Sequence, residues 1–268
     1  MKIKTVMCDI YGTLLTDEGT ITDKTIDAIK AIRKRDILFG LCTKHDITSV
    51  LQQLNSWKLE GNVDAIIGSD GCEIYDFTID TKLERFLLDQ VIIHQIMRQL
   101  EDLHVTFAIP YKGILYTEND NSSIYSLSQI YHMPYQVTHL RSIKHPIAKI
   151  MIITNAYNID EVLKRSTAFS HLKPQIAPFH NGEILLELMD KRVSKGSALE
   201  EYMSWHDYSM DELCTFGDAD NDEDMTSIAG MGVIMKNGCE KCKRIADYIT
   251  EDYNHDGIAN FIQRFLLD

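Results

Sequence analysis

Residues 213–225 read LCTFGDADNDEDM. Leu213 to Phe216 is a short apolar run, the pattern of a strand with both faces buried. It stops at Gly217, and Asp218, Ala219, Asp220, Asn221 and Asp222 follow at once. Met225, Ile228 and Ala229 then suit a helix. Half of a βα unit is therefore expected here, with an acidic loop at the carboxyl end of its strand, the usual place for reactive groups. Gly232 to Met235 reads as a further strand. Phe261, Ile262, Phe265 and Leu266 give a closing helix its apolar face.

The same alternation stands at the other end of the chain. Residues 3–8 (IKTVMC) are apolar and partly β-branched, and they end at Asp9, with Gly12 and Thr13 just beyond. Thr22 is placed to cap a helix carrying Ile26, Ile29 and Ile32, and Ile37 to Cys42 is a second apolar run. Val50, Leu51, Leu54 and Trp57 mark another helix, and Ala65 to Gly68 a third strand. Residues 83–185 read differently. They hold a helix with Ile92, Ile96, Leu100 and Leu103, paired strand candidates VTFAI and GILYT, a helix near 122–132, the strand IAKIMIIT and a helix near 159–169. The expectation is an α/β chain: a Rossmann-like parallel sheet core over 1–82 and 186–268, with an inserted α+β cap domain over 83–185. No internal repeat, low-complexity tract or flexible linker is visible.

The formal net charge of −13 repels phosphate backbones, so no nucleic-acid partner is expected. Several of the six cysteines (Cys8, Cys42, Cys214) lie inside apolar runs, where a thiol acts as a small hydrophobe in a reducing compartment. Cys239 and Cys242 form a lone CxxC. Without a second ligand pair they are read as two buried thiols rather than a zinc site. The amino terminus has no small-residue cleavage site, and no apolar run approaches the roughly 18 residues that span a bilayer. A cytoplasmic chain with no membrane partner is expected.

Four sites fall at strand ends or helix starts: Asp9-Ile10-Tyr11-Gly12-Thr13-Leu14, Thr43, Lys195-Gly196, and the loop from Gly217 to Asp222. Singly, each has an ordinary structural reading as a turn, a solvated helix start or an acidic loop. In a parallel sheet, however, carboxyl ends open onto one crevice, so all four can meet one ligand. In their order, and in GDADNDEDM with VSKGSAL above all, the chain resembles the haloacid dehalogenase superfamily, in particular the Cof-like phosphatases with a cap between the second and third motifs. The resemblance covers the whole chain. It implies a Mg²⁺-dependent hydrolase of small phosphate monoesters, such as sugar phosphates or nucleotides, that forms an aspartyl-phosphate on Asp9. It also implies Mg²⁺ held by Asp9, the main-chain carbonyl of Tyr11, Asp218 and Asp222, with Asn221 and Asp222 supporting the outer shell. Thr43, Lys44, Lys195 and Asn221 would bind the phosphorylated metabolite, and Asp9, Tyr11 and Lys195 would be the catalytic residues. These residue types suit the work: carboxylates are hard ligands for Mg²⁺, and a cation at a helix start favours a phosphoryl group.

The chain departs from the pattern in three places. Tyr11 stands where such phosphatases have the aspartate that serves as acid and base, a function worth roughly 10²- to 10⁴-fold. A phenol with a pKa of about 10 replaces it poorly at neutral pH, so slow turnover is expected. The alternatives are a degenerate ligand-binding or regulatory member, or a dehalogenase-like hydrolase, since DxYGT opens the 2-haloacid dehalogenases. Against the latter, only 29 residues separate Thr13 from Thr43, whereas 151 lie between Thr43 and Lys195. The second departure is Lys44-His45 in place of the frequent Gly-Arg, with His45 read as a polar helix-start residue. The third is Asp70-Gly71 in place of Asn-Gly.

Overall fold

The computed structural model describes residues 2–268. From the amino end, β1 (Thr5–Cys8), α1 (Asp23–Arg33), β2 (Leu38–Cys42), α2 (Ile47–Gln53) and β3 (Ala65–Gly68) alternate as expected, and β4 (Glu73–Asp76) and β5 (Thr81–Glu84) follow as a hairpin. Thr22 does cap α1, its hydroxyl accepting from the Thr25 amide at 3.2 Å. The chain then builds α3 (Gln90–Gln99), β6 (Thr106–Tyr111), β7 (Ile114–Thr117), α4 (Ser122–Tyr131), β8 (Tyr135–Val137), β9 (Lys149–Asn155), α5 (Ile159–Ser166), β10 (Leu172–Pro178) and β11 (Glu183–Asp190). It closes with α6 (Lys195–Trp205), β12 (Leu213–Gly217), α7 (Glu223–Ile228), β13 (Met231–Met235), α8 (Glu240–Ile245), β14 (Tyr248–Thr250) and α9 (Gly257–Ile262).

Two compact units result. One takes the chain up to Glu84 and again from Ser194 to Asp268; the other is Arg85–Val193. The second boundary lies beyond residue 185, where the sequence reading puts it. The reason is β11, which pairs antiparallel with β9 through Met189 and with β10 through Asp190 and so ties residues 186–190 to the inserted sheet.

The first unit is an eight-stranded sheet in the order β14-β13-β12-β1-β2-β3-β4-β5, parallel from β14 to β3 and antiparallel beyond. Alternate residues of each strand serve opposite faces. Val6, Cys8, Phe39, Leu41 and Phe216 pack with α1 and α9 through Ile26, Ile29, Ile32, Phe261 and Ile262. Met7, Cys42, Ala65 and Ile67 pack with α6 and α7 through Ala198, Leu199, Tyr202 and Met225. Burial on both faces is why these strands read as unbroken apolar runs. Because β1 lies between β2 and β12, the chain winds away from it in both directions, and the crevice of a doubly wound sheet opens at its carboxyl end. The closing helix is shorter than its apolar face suggests. Beyond Ile262 the chain widens into a π turn over Gln263–Leu267, and Phe265 is left exposed.

The second unit is a six-stranded sheet in the order β10-β11-β9-β6-β7-β8, antiparallel except for the β7–β8 pair. Ile93, Ile96 and Val162 bring α3 and α5 to one face, and Ile124 and Leu127 bring α4 to the other. Among the described residues, no helix is long and apolar enough to cross a membrane.

One half-buried acid in the first unit makes stability depend on pH. Glu73 Oε2 accepts from the Ile47 amide at 2.8 Å and from the Ser69 hydroxyl at 3.3 Å. Burial nonetheless pushes its carboxyl up to about 7, the Ile47 amide opposing and Asp46 and Glu84 adding. A carboxyl raised in the folded state contributes stability that is fully present below about pH 4.5 and lost as pH climbs to about 7. Glu73→Gln, which stays neutral, is expected to match the wild type near pH 4.5 and to exceed it by about 2–3 kcal/mol at pH 8. Urea unfolding at both pH values checks this, and an equal or lower stability of the variant at pH 8 would count against it.

Candidate active site

Asp9 directly follows β1, and its amide donates to the Phe216 carbonyl of β12 at 2.9 Å. This pins the carboxylate at the carboxyl end of the central strand. Lys195 arrives as the first residue of α6. Ser194 caps that helix, its hydroxyl accepting from the Ser197 amide at 3.0 Å, and the Gly196 amide donates to Asp224 Oδ2 at 2.9 Å. The helix start is thereby fastened to the acidic stretch after β12. The Lys195 side chain is fully buried, and its Nζ donates to Asp9 Oδ1 and to Asp222 Oδ1, both at 2.6 Å. An ammonium out of water requires such partners, because an unpaired buried charge is strongly unfavourable. Burial works against its charge, but Asp222 and Asp9 outweigh that and hold it protonated well above the usual lysine range.

Asp222 has no exposed surface, and its second oxygen accepts from the amides of Asp218 at 2.9 Å and Ala219 at 3.0 Å. It thus braces both the loop and the lysine, and it is also one of three carboxylates gathered at this strand end. Asp218 Oδ1 accepts from the Thr13 hydroxyl at 2.8 Å. Gly12, at φ +83°, lies so close that a Cβ there would collide with the Asp218 carboxylate. A glycine is required on both counts. The Asn237 side chain holds this turn from outside, its Nδ2 donating to the Gly12 carbonyl at 2.8 Å.

Carboxylate oxygens of Asp9, Asp218 and Asp222 lie within 4.8 Å of one another. Burial pushes Asp9 up to about 7, with Lys195 opposing and Asp222 and Asp218 adding. Burial and Asp222 likewise push Asp218 up to about 6, against the Thr13 hydrogen bond, Lys195 and Lys44. Crowded carboxyls that resist ionisation are a place short of positive charge. A hard divalent cation fits this donor set.

The other residues expected at the site are placed as follows. Thr43 is buried at the end of β2; its amide donates to the Ile67 carbonyl at 2.8 Å, and its own carbonyl accepts from the Asp70 amide at 3.0 Å. Lys44 is half-buried and near enough to Asp218 to lower its carboxyl. Asn221, expected on the phosphorylated ligand, donates from Nδ2 to Asp70 Oδ1 at 3.1 Å. Asp70 is 2% exposed and left-handed at φ 56°. The Tyr11 ring stacks on His45 with centroids 4.7 Å apart and meets Trp57 edge-on at 6.4 Å. His45, just before the Asp46 cap of α2, is therefore a helix-start residue buried under an aromatic ring. Burial and the neighbouring Asp9 push the Tyr11 phenol up to about 12, so it keeps its proton throughout the neutral range. Asp70, Asp224 and Asn237 were not expected at the site. Asp224 stood in the GDADNDEDM stretch, and the Asp70-Gly71 pair was a visible departure, but Asn237 carries no signal of its own.

The sequence pattern of the haloacid dehalogenase-like hydrolase family matches residues 6–262. The chain belongs to this family. Within it, the chain is 29% identical over all of both sequences to a provisionally named phosphatase of Streptococcus pyogenes. It is 24% identical, over 98% of each sequence, to a Bacillus subtilis protein named 5-amino-6-(5-phospho-D-ribitylamino)uracil phosphatase. The fold is shared with a haloacid dehalogenase-like hydrolase of Bacteroides thetaiotaomicron, at a TM-score of 0.88 and 23% identity over 98% of this chain and 99% of that one. Family membership makes the protein a hydrolase.

Proposed function

We propose that this chain hydrolyses small phosphate monoesters through an aspartyl-phosphate on Asp9. The observation that carries the reading is the buried Lys195 ammonium shared between Asp9 and the loop brace Asp222, beside Asp218. A carboxylate is a weak nucleophile, and the adjoining ammonium helps in two ways: it favours the ionised form of Asp9 and offers positive charge to an incoming phosphoryl group. An Asp9 oxygen bonds to phosphorus as the bond to the alcohol oxygen breaks, and the departing oxygen takes its proton from solvent. Water then attacks the phosphorus, the bond to Asp9 breaks, and inorganic phosphate leaves with the carboxylate restored. Mg²⁺, held by Asp9, Asp218 and the main-chain carbonyl of Tyr11, would supply Lewis-acid charge to the phosphoryl oxygens. Thr43 and Lys44 would bind the phosphate. Turnover is slow in this reading, because the Tyr11 phenol is too basic to serve as acid and base.

The names of the two curated relatives support a phosphatase, and that of the Bacillus subtilis protein points to a phosphorylated small metabolite. The net charge of −13 argues against a polyanionic partner. The second reading is a ligand-binding member that turns nothing over, favoured by the Tyr11–His45 stack in the place of the acid. Phosphate release over a panel of sugar phosphates, nucleotides and pyridoxal phosphate, with Mg²⁺ or with EDTA, separates them. Release that needs Mg²⁺ on at least one compound is expected. Binding without release would favour the second reading, and halide release from a 2-haloacid would move the chain to dehalogenase chemistry.

A further inference from the structure

The CxxC spacing leaves Cys239 and Cys242 as two thiols alone, but the fold brings them a third donor. Asp220, in the loop after β12, accepts from the Cys239 thiol at Oδ1 across 3.2 Å. The Cys242 amide donates to Cys239 Sγ at 3.2 Å, and the Cys242 thiol to the Ala219 carbonyl at 3.1 Å. One donor atom from each of Asp220, Cys239 and Cys242 lies within 4.8 Å of the other two. We propose that these three residues form a second metal site, distinct from the carboxylate cluster at Asp9 and suited to a d¹⁰ cation of the zinc class.

Donor chemistry separates the two sites. Mg²⁺ takes oxygen ligands and dehydrates reluctantly, whereas two thiolates with one carboxylate suit Zn²⁺ or Cd²⁺. Tetrahedral Zn–S bonds of about 2.3 Å set two sulfurs about 3.7 Å apart, inside the spread already present. Asp220 is exposed, Cys239 half-buried and Cys242 buried, so the fourth position faces solvent and the site is of the open kind. The lysines on α8 do not stand against a cation uncompensated: Lys241 pairs with Glu223 and Lys243 with Glu240. On binding, two S–H bonds are replaced by two sulfur–metal bonds and both protons leave to solvent. The Cys242 amide then donates to a thiolate, a stronger acceptor than the thiol. The site is anchored to the Asp9 cluster by the Cys239 amide, which donates to the Asp218 carbonyl at 2.7 Å.

The test titrates Cd²⁺ into the whole chain in saturating Mg²⁺ and follows the thiolate-to-cadmium charge-transfer band. One equivalent bound, with the band of two thiolates, is expected. Cys239→Ser/Cys242→Ser should lose the band, and Asp220→Asn should weaken binding roughly tenfold or more. The four remaining cysteines (Cys8, Cys42, Cys72 and Cys214) are buried and give a low background. An undiminished band in the folded double variant, or no band in the wild type, overturns the site. A measurement on the wild type alone guards against a variant that fails to fold: alkylation of Cys239 by iodoacetamide, mapped by mass spectrometry with and without Zn²⁺. At about ten times its Kd, Zn²⁺ leaves roughly a tenth of the site free and should slow Cys239 alkylation accordingly. An unchanged rate over a wide range of Zn²⁺ concentrations overturns the proposal.

Discussion

Asp9→Asn is expected to lower phosphate release by at least about 10³-fold, the scale on which losing a nucleophile reads. The change removes one negative oxygen and leaves the shape of the side chain, so an amide oxygen can still accept from Lys195. Asp222 stays as the ionised partner of that lysine. The fold should therefore survive, and a thermal melt beside the rate separates loss of chemistry from loss of protein. Beryllofluoride, which mimics a phosphoryl group on a carboxylate, should bind the wild type in Mg²⁺ and not the variant. Turnover undiminished in Asp9→Asn would rule out the covalent route while leaving the family assignment untouched.

Tyr11→Asp should act in the opposite direction, raising turnover by some part of the roughly 10²- to 10⁴-fold range of a positioned acid and base. The surroundings favour a usable acid there. Burial raises the Tyr11 phenol where it stands, and burial raises a carboxyl in the same place too. The gain should be larger on a sugar phosphate than on nitrophenyl phosphate, because an alkoxide must be protonated as it leaves and nitrophenolate need not be. The ratio of the two rates thus reads the role, independent of how much enzyme is folded. Removing the ring ends the stack on His45 and the edge contact with Trp57, an aromatic loss of about 0.5–1.5 kcal/mol for each pair. Thermal stability and Mg²⁺ affinity belong beside the rates. A folded, Mg²⁺-binding Tyr11→Asp with no gain on either substrate would refute the acid–base account and favour the binding reading.

The sequence by itself determined the α/β class and the family, and it marked three strand ends and one helix start as candidate sites. Apolar runs that end on Asp9, Thr43 and Asp218 can be read without coordinates, because a strand buried on both faces must be apolar throughout and its polar work must begin where it ends. The tertiary structure decided how those residues divide the work. What Asp222 braces depends on where its two oxygens point: to the amides of Asp218 and Ala219, and to Lys195, 27 positions away in the chain. The same holds for Asn221, taken up by Asp70 across 151 positions, and for Tyr11, whose ring lies on His45. The end of the inserted unit moved past residue 185 because β11 is held by its neighbours β9 and β10, a pairing that local periodicity does not encode. Asp220 joined Cys239 and Cys242 for the same reason: periodicity records which face of its own element a residue occupies, while long-range partners are set by the order and register of the strands.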